Sequence, residues 1–264
     1  MEDFEFHTPG SLDEAVAALQ GAEEGKLLAG GMSLLPVMKL DLAAPTDVVD
    51  LAGVPGLREI TADESSVTIG ALCTHAEVAG SDAVQTSIPA LSHLVGEIGD
   101  PQVRNRGSLG GSVAHNDPAA DYPAACIALG AMVITNRREI HADDFFQAMF
   151  TTALGEDEIV TAVRFPIPER AAYAKFPNPA SKYAVVGVMV AQGPGGVRVA
   201  VTGAGDGVFR VPEMESALSA SFDVGSLEGI SVSADGLVSD TAATPEYRAH
   251  LIGVMARRAV AAAT

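Results

Sequence analysis

The chain has 264 residues, 48% of them hydrophobic, and its 34 acidic and 16 basic residues give a formal net charge of −18. This length suffices for two domains with a sizeable core, and the negative charge argues against binding to nucleic acid or to an anionic membrane surface. No segment is apolar for long enough to span a bilayer, and the acidic start lacks a signal-peptide pattern, so the sequence predicts a cytoplasmic protein.

The first 55 residues alternate strand and helix signals. The run from Ser11 to Glu14 has the pattern of a capping box, and the apolar residues after it recur at helical spacing. Short strands are predicted at 26–29 and 47–51. The first of these ends at Gly30 and Gly31, where the backbone must bend sharply or approach something closely.

The middle of the chain combines strands, helices and a second glycine-rich turn. Apolar and polar residues alternate over 65–72, which predicts a half-buried strand, and 88–98 returns to helical spacing. A glycine-rich turn follows at 106–112. Beyond it, the sequence predicts a helix over 124–129 and strands at 132–135 and 158–165.

The last third reads as a second unit. Residues 164–179 are rich in proline, which suggests the crossing between domains. A hairpin is predicted from 183–191 and 197–202, which a Gly-Pro-Gly-Gly turn separates, and 247–263 has the pattern of an amphipathic helix.

The two glycine turns, 29–33 (AGGMS) and 107–112 (GSLGGS), are candidates for anion binding. Successive backbone N–H groups in such a turn can converge into a nest that binds an anion without a formal positive charge. Two facing nests would suit a pyrophosphate. The alternative is that each is an ordinary tight turn between a strand and its neighbour.

Familiar catalytic motifs are missing. The sequence has neither the Rossmann Gly-x-Gly-x-x-Gly spacing nor a P-loop, and the run Gly110–Ala114 fails to complete a nucleophile elbow. Cys73 and Cys126 are too few for an iron–sulfur cluster and are predicted to be buried free thiols. No catalytic pairing can be read among the histidines and aspartates.

Four segments together resemble a known family. AGGMSLLPVMKL (29–40), IGALCTH (69–75), IGDPQVRNRGSLGGSVAHNDPAADYPAA (98–125) and DEIVTAVRFP (157–166) are similar to the FAD-binding medium subunit of molybdenum hydroxylases, especially the carbon monoxide dehydrogenase-like type, and to the xanthine dehydrogenase FAD portion. The resemblance implies an α+β fold: an FAD-binding domain of the vanillyl-alcohol-oxidase (PCMH) type over 1–170, with subdomains of about 1–55 and 56–170, and a smaller C-terminal domain over 171–264 with an antiparallel sheet and helices.

The resemblance also implies a set of cofactor-binding residues. By it, the two glycine turns hold the pyrophosphate, and Lys175 and Tyr183 lie near the flavin. The implied FAD-binding residues are Leu28, Ala29, Gly30, Gly31, Met32, Ser33, Leu34, Thr74, His75, Ile98, Gly107, Ser108, Gly110, Gly111, Ser112, Asp117, Asp121, Val160, Lys175 and Tyr183.

Plainer interpretations stay open for several of these residues. His75 could be a histidine satisfied by backbone, Asp117 and Asp121 could cap the following helix, and Tyr183 could be part of the hairpin core. Met32 departs from the family pattern, since many relatives carry histidine or another polar residue there. Ser112 also departs from it, because asparagine is frequent at that position. Arg104 and Arg106 could anchor their loop or line a subunit contact.

The family arrangement implies an electron-transfer role in an oxidoreductase. FAD would receive electrons from a molybdenum-cofactor large subunit through a two-cluster iron–sulfur small subunit, in a dimer of heterotrimers, and no residue of this chain or metal bound to it would be catalytic. Alternatives are a stand-alone FAD oxidoreductase of the same fold and a binding or assembly module that no longer holds FAD.

Overall fold

The computed structural model describes residues 1–263 and has an α+β architecture with four separate sheets. The N-terminal sheet is parallel, in the order β1-β3-β2, because helices connect its strands. Its elements are β1 (Glu5–His7), α1 (Leu12–Gly21), β2 (Gly25–Leu28), α2 (Leu34–Lys39) and β3 (Asp47–Asp50), followed by a 3₁₀ turn at Leu51–Gly53.

A five-stranded antiparallel sheet follows, in the order β4-β5-β10-β6-β7, with six short helices between its second and third strands in the chain. A two-stranded hairpin, β8-β9, stands apart from it. The elements are β4 (Ile60–Ala62), β5 (Ser66–Gly70), α3 (His75–Gly80), α4 (Asp82–Ser87), α5 (Pro89–Gly96), α6 (Pro101–Arg104), α7 (Leu109–His115), α8 (Tyr122–Leu129), β6 (Met132–Thr135), β7 (Glu139–His141), α9 (Ala142–Phe145), β8 (Phe146–Ala148), β9 (Thr151–Thr152) and β10 (Val160–Pro166).

The C-terminal region is a four-stranded antiparallel sheet in sequential order, with the long helix α11 packed on β11 and β12. Its elements are β11 (Arg170–Pro177), β12 (Ala184–Gly193), β13 (Gly196–Thr202), β14 (Phe209–Arg210), α10 (Pro212–Ala220), a 3₁₀ turn at Val224–Leu227 and α11 (Pro245–Ala262).

Helix α8 joins the two larger sheets. All eight of its residues are buried, and it packs against β12 and β13 on one side and β10 on the other. A helix that is apolar all round belongs in such a two-sided position. The core around it includes Tyr173, Met189 and Ala200 of the C-terminal sheet, so apolar packing crosses the expected boundary at residue 170. The domain limits 1–170 and 171–264 therefore stay a prediction.

The structure confirms the regular patterns and corrects the irregular ones. The strand at 132–135, the 183–202 hairpin and the C-terminal helix are present within a few residues of their predicted bounds. The proline-rich stretch 164–179 runs from the five-stranded sheet to the C-terminal sheet, but most of it is strand, since β10 ends within it and β11 occupies 170–177. Pro177 is tolerated there because β11 is an edge strand and the proline lies at its end.

Two further sequence predictions concern burial and membranes. Cys73 and Cys126 are both buried free thiols, as predicted. Within residues 1–263, no helix has the combination of length and apolar character needed to cross a membrane.

Candidate functional site

A cleft of about 640 Å³ runs between the β2–α2 turn, the start of α7 and the loop before β12. It brings together seventeen of the twenty residues that the sequence singled out. These are Ala29, Gly30, Gly31, Met32, Ser33, Leu34, His75, Ile98, Gly107, Ser108, Gly110, Gly111, Ser112, Asp117, Asp121, Val160 and Tyr183.

The turn from Gly30 to Leu34 presents a run of free backbone donors. Within the described residues, none of the five N–H groups of this segment has a protein acceptor, and all five residues line the cleft. Gly31 has φ +73°, which favours glycine, and the Ser33 hydroxyl makes no capping bond. Consecutive unpaired N–H groups in a concave wall can bind an anion, and that this turn does so stays a prediction.

The second glycine turn does not have this property. The N–H groups of Gly107, Leu109 and Gly110 donate to Val103 O, Cys73 O and Ala71 O, and those of residues 111 and 112 donate to Ser108. The segment is the capped start of α7, so these N–H groups already donate hydrogen bonds within the helix or to adjacent backbone. The prediction of a second nest is therefore wrong.

The two turns nevertheless touch each other, and Gly30 makes this possible. A Cβ on Gly30 would overlap the carbonyl oxygen of Arg106, and the atoms it would meet are all backbone. A Cβ on Gly111, by contrast, would meet only the Ser108 hydroxyl at 2.9 Å and, at 3.8 Å, the Ala29 methyl group across the cleft. Gly30 thus closes the wall of the cleft, whereas Gly111 keeps its interior open.

His75 lies at the first position of α3 and is deeply buried beside the cleft. Its Nδ1 has no hydrogen-bond partner, so the alternative of a histidine satisfied by backbone is wrong for this atom. Its ring packs at 5.5 Å from that of Tyr122. Burial, assisted by the charge of Arg104, lowers the pKa of His75 to about 4, so the imidazole is neutral near pH 7.

Asp121 anchors a buried polar cluster that joins the start of α8 to β11. Its carboxylate accepts hydrogen bonds from Tyr173 Oη and, at 2.9 Å, from Lys175 Nζ, which also donates to Glu97 O. Burial raises the pKa of Asp121, and the Lys175 ammonium and the Tyr173 hydroxyl oppose that rise. Asp121 makes no capping bond to α8, contrary to the plainer interpretation. Gly187 leaves room for the Tyr173 hydroxyl, which a Cβ there would overlap.

The three remaining sequence-predicted residues lie off the cleft. The Lys175 side chain is 2% exposed and reaches the cleft only through Asp121. The Thr74 hydroxyl forms a capping box with Glu77. Leu28 and Thr74 line a smaller cavity of about 280 Å³ that shares Ala29 and Ser108 with the cleft.

Two other side chains near the cleft have identifiable partners. Asp117 accepts a hydrogen bond from Ala119 N in the turn before α8 and does not cap that helix, contrary to the plainer interpretation. Arg104 donates to Ile98 O and Gly99 O, so it anchors its loop.

Tyr183 is 45% exposed and lies at the mouth of the cleft rather than in the hairpin core.

Sequence reasoning missed most of the apolar lining of the cleft. Only the ends of strands and the connections that fold back over the turns bring these side chains here, and their spacing carries no local signal. The missed residues include Leu27, Val37, Leu51, Leu72, Phe150 and Ile159.

Similarity to known proteins extends over nearly the whole chain. Residues 2–168 match the family model described as the FAD binding domain in molybdopterin dehydrogenase. The chain is 36% identical over 270 residues to the nicotine 6-hydroxylase medium subunit of Paenarthrobacter nicotinovorans, covering 97% of this chain and 95% of that protein. It is 35% identical over 279 residues to the carbon monoxide dehydrogenase medium chain of Hydrogenophaga pseudoflava, covering 98% and 96%.

The chain is also similar to a solved structure over nearly its whole length. A chain of the carbon monoxide dehydrogenase from Hydrogenophaga pseudoflava, in a form that lacks the Mo-pyranopterin moiety of its cofactor, superposes with a TM-score of 0.88 at 33% sequence identity. The match covers 99% of this chain and 97% of that chain.

Proposed function

The chain belongs to the family of FAD-binding domains in molybdopterin dehydrogenases, and on that premise we propose that it is the flavin-carrying medium subunit of a heteromeric molybdenum hydroxylase. The observation that carries the proposal is the run of free N–H groups at 30–34 in the wall of the cleft. In a chain of net charge −18, an anionic cofactor has to be held by such local donors.

The residues present fit FAD. The turn at 30–34 would hold its pyrophosphate, and Ser33 and Ser112 also line the cleft. The unpartnered Nδ1 of His75 would gain a hydrogen-bond partner from a polar group of the cofactor. Leu51, Leu72 and Ile159 provide an apolar surface for a flat ring of the cofactor.

The role of this chain is to hold and shield the cofactor. Bound FAD would take up electrons from the iron–sulfur clusters of a small partner subunit and pass them to an external acceptor. The chain has only two cysteines, both buried, and so supplies no cluster ligands of its own. We therefore include a molybdenum-containing large subunit and an iron–sulfur small subunit among its partners, assembled as a dimer of heterotrimers.

A single substitution tests the cleft. Gly111→Leu directs a side chain toward Ala29 across the cleft and displaces only the Ser108 hydroxyl, so it should abolish flavin retention while the chain stays folded with a small loss of melting temperature. Gly80→Leu is the matched control because a Cβ there meets nothing within 4 Å and Gly80 lies outside the cleft. Blue-light absorbance of the purified proteins reports the flavin. Equal flavin content in both variants would contradict the proposed cleft.

A second experiment tests the assembly. The tagged chain, co-expressed with its neighbouring reading frames, should co-purify with a molybdenum-containing subunit and an iron–sulfur subunit in fixed proportion. A chain that binds FAD but purifies alone under these conditions would instead be a stand-alone flavoprotein of the same fold.

A further inference from the structure

The β8–β9 hairpin holds a strained aromatic residue at its tip. Phe150 has φ +53°, a left-handed conformation that is unfavourable for a bulky side chain. Its ring is 54% exposed, yet it lines the cleft and packs at 5.0 Å from the ring of His115. A strained backbone that persists must be held by its surroundings.

Asn116 provides that support. Its side-chain Nδ2 donates to Ala148 O and Thr151 O, one on each side of the hairpin tip, and its own carbonyl accepts from Phe150 N. Asn116 is 1% exposed and itself has φ +47°. These hydrogen bonds from Asn116 hold the hairpin in place, although the hairpin pairs with no larger sheet.

Two of the residues with positive φ belong to connections that line the cleft. In the described chain, four residues other than glycine have positive φ, and Phe150, Lys182 and Asn116 are three of them. Phe150 and Lys182 line the cleft from different connections, with Tyr183 next to Lys182. Backbone strain of this kind gathers at ligand clamps.

We propose that Phe150 is a gate residue that covers the flavin end of the cleft and restricts which electron acceptors reach the ring. This inference rests on the proposed function and on the sequence resemblance, which implies that Tyr183 lies near the flavin. Phe150 N donates to Asn116 O, and Ala184 N, next to Tyr183, donates to Ala119 O, so both aromatic residues adjoin the segment 116–119 and both line the cleft. Large acceptors are hindered by the Phe150 ring, whereas dioxygen passes.

The experiment compares the flavin-loaded complex carrying wild-type Phe150, Phe150→Ala or Phe150→Gly. Met149→Ala is the matched control, because Met149 is 44% exposed on the same hairpin but does not line the cleft. Two readouts are used: quenching of flavin fluorescence by acrylamide, and the rate of flavin reoxidation by a bulky quinone analogue relative to that by dioxygen.

Removing the ring should raise the acrylamide quenching constant at least about twofold and should raise the quinone-to-dioxygen rate ratio, whereas Met149→Ala should match the wild type. Phe150→Gly should quench like Phe150→Ala but melt at a higher temperature, because glycine accepts φ +53° without strain. Phe150→Gly also keeps the test decisive if Phe150→Ala folds poorly.

The outcomes separate the two proposals. If every variant holds flavin and the ring-deleted variants match the wild type in quenching and in rate ratio, the gate is overturned and the flavin function stands. If the wild-type complex holds no flavin, the proposed function fails and the gate fails with it.

Discussion

His75 is the clearest residue-scale source of pH dependence. Its pKa falls from an ordinary 6.5 to about 4 in the folded chain, so the unfolded chain binds a proton that the folded chain does not between these values. The free energy of unfolding should therefore fall as the pH is lowered through this window, by on the order of 2 to 3 kcal/mol. Urea unfolding at a series of pH values measures this loss.

A His75→Gln variant should lose most of that pH dependence, because glutamine has no proton to bind. His93→Gln is the control, since His93 is on the exposed surface of α5. If the slope between these pH values is the same in wild type and His75→Gln, the dependence arises elsewhere.

Gly30 and Gly111 show what a sequence pattern can and cannot distinguish. The pattern predicted both turns and their glycines, but it treated the two residues as equivalent parts of two nests. In the structure, Gly30 packs against the backbone of Arg106, whereas Gly111 faces the Ser108 hydroxyl and, farther off, the Ala29 methyl group. The difference arises from contacts between segments about eighty residues apart, and no local spacing encodes such contacts.

The two glycines should accordingly respond differently to alanine. Gly30→Ala should lower the free energy of unfolding by about 1 to 3 kcal/mol, because the backbone atoms facing the new Cβ cannot move aside like a side chain. Gly111→Ala should cost less, since Gly111 lies within α7, where alanine is the better helix former. Thermal melting of the two variants compares these costs, and an equal loss would contradict the assignment.

At the scale of elements, α11 is held to the C-terminal sheet by one buried cation as well as by its apolar face. Arg248 is 2% exposed, donates to Val185 O and Gly203 O, and pairs with Asp240 at 2.7 Å. Replacing it by methionine would leave two buried carbonyl groups without this donor. Arg248→Met should therefore destabilise the chain by about 3 kcal/mol.

Chemical denaturation checks this prediction, with Arg258→Met as the control. Arg258 is on the same helix but exposed, so its loss should change stability by less than about 0.5 kcal/mol. Similar stability of the Arg248→Met chain and the control chain would show that apolar packing alone fixes α11.

Helices and strands were predicted correctly where the sequence pattern is periodic and missed where strand pairing determines the structure. The C-terminal helix and the 183–202 hairpin follow from spacing and turn residues. Strand β11 was missed because its prolines suggest a linker, yet it pairs along its whole length with β12. Tertiary pairing overrides such a local signal.

At the scale of the whole molecule, the cleft depends on contacts that join distant parts of the chain. The Asp121–Lys175 ion pair connects the start of α8 to β11, and Thr202 in β13 donates to Pro118 O and Ala120 O nearby. The sequence resemblance suggested that Lys175 lies near the cofactor, but not that its buried ammonium pairs with Asp121. Only the packing of the C-terminal sheet against α8 establishes that relation.

The net charge of the whole chain should affect the rate at which the cofactor binds. The cleft lining contains Lys26 and Lys182 against Asp117 and Asp121, so its own charges nearly balance and the overall charge of −18 dominates at long range. FAD is an anion, and repulsion should slow its approach. Salt shortens the Debye length from about 30 Å at 0.01 M to about 3 Å at 1 M.

The rate of FAD uptake by the flavin-free chain should therefore rise severalfold as potassium chloride is added across that range, measured by the quenching of flavin fluorescence on binding. An uncharged osmolyte at the same osmolality should have no such effect. The backbone donors at 30–34 act at contact distance and are little screened, so the dissociation rate should change much less than the association rate. An uptake rate that falls with salt would mean that the lysines at the cleft, rather than the acidic surface, steer the cofactor.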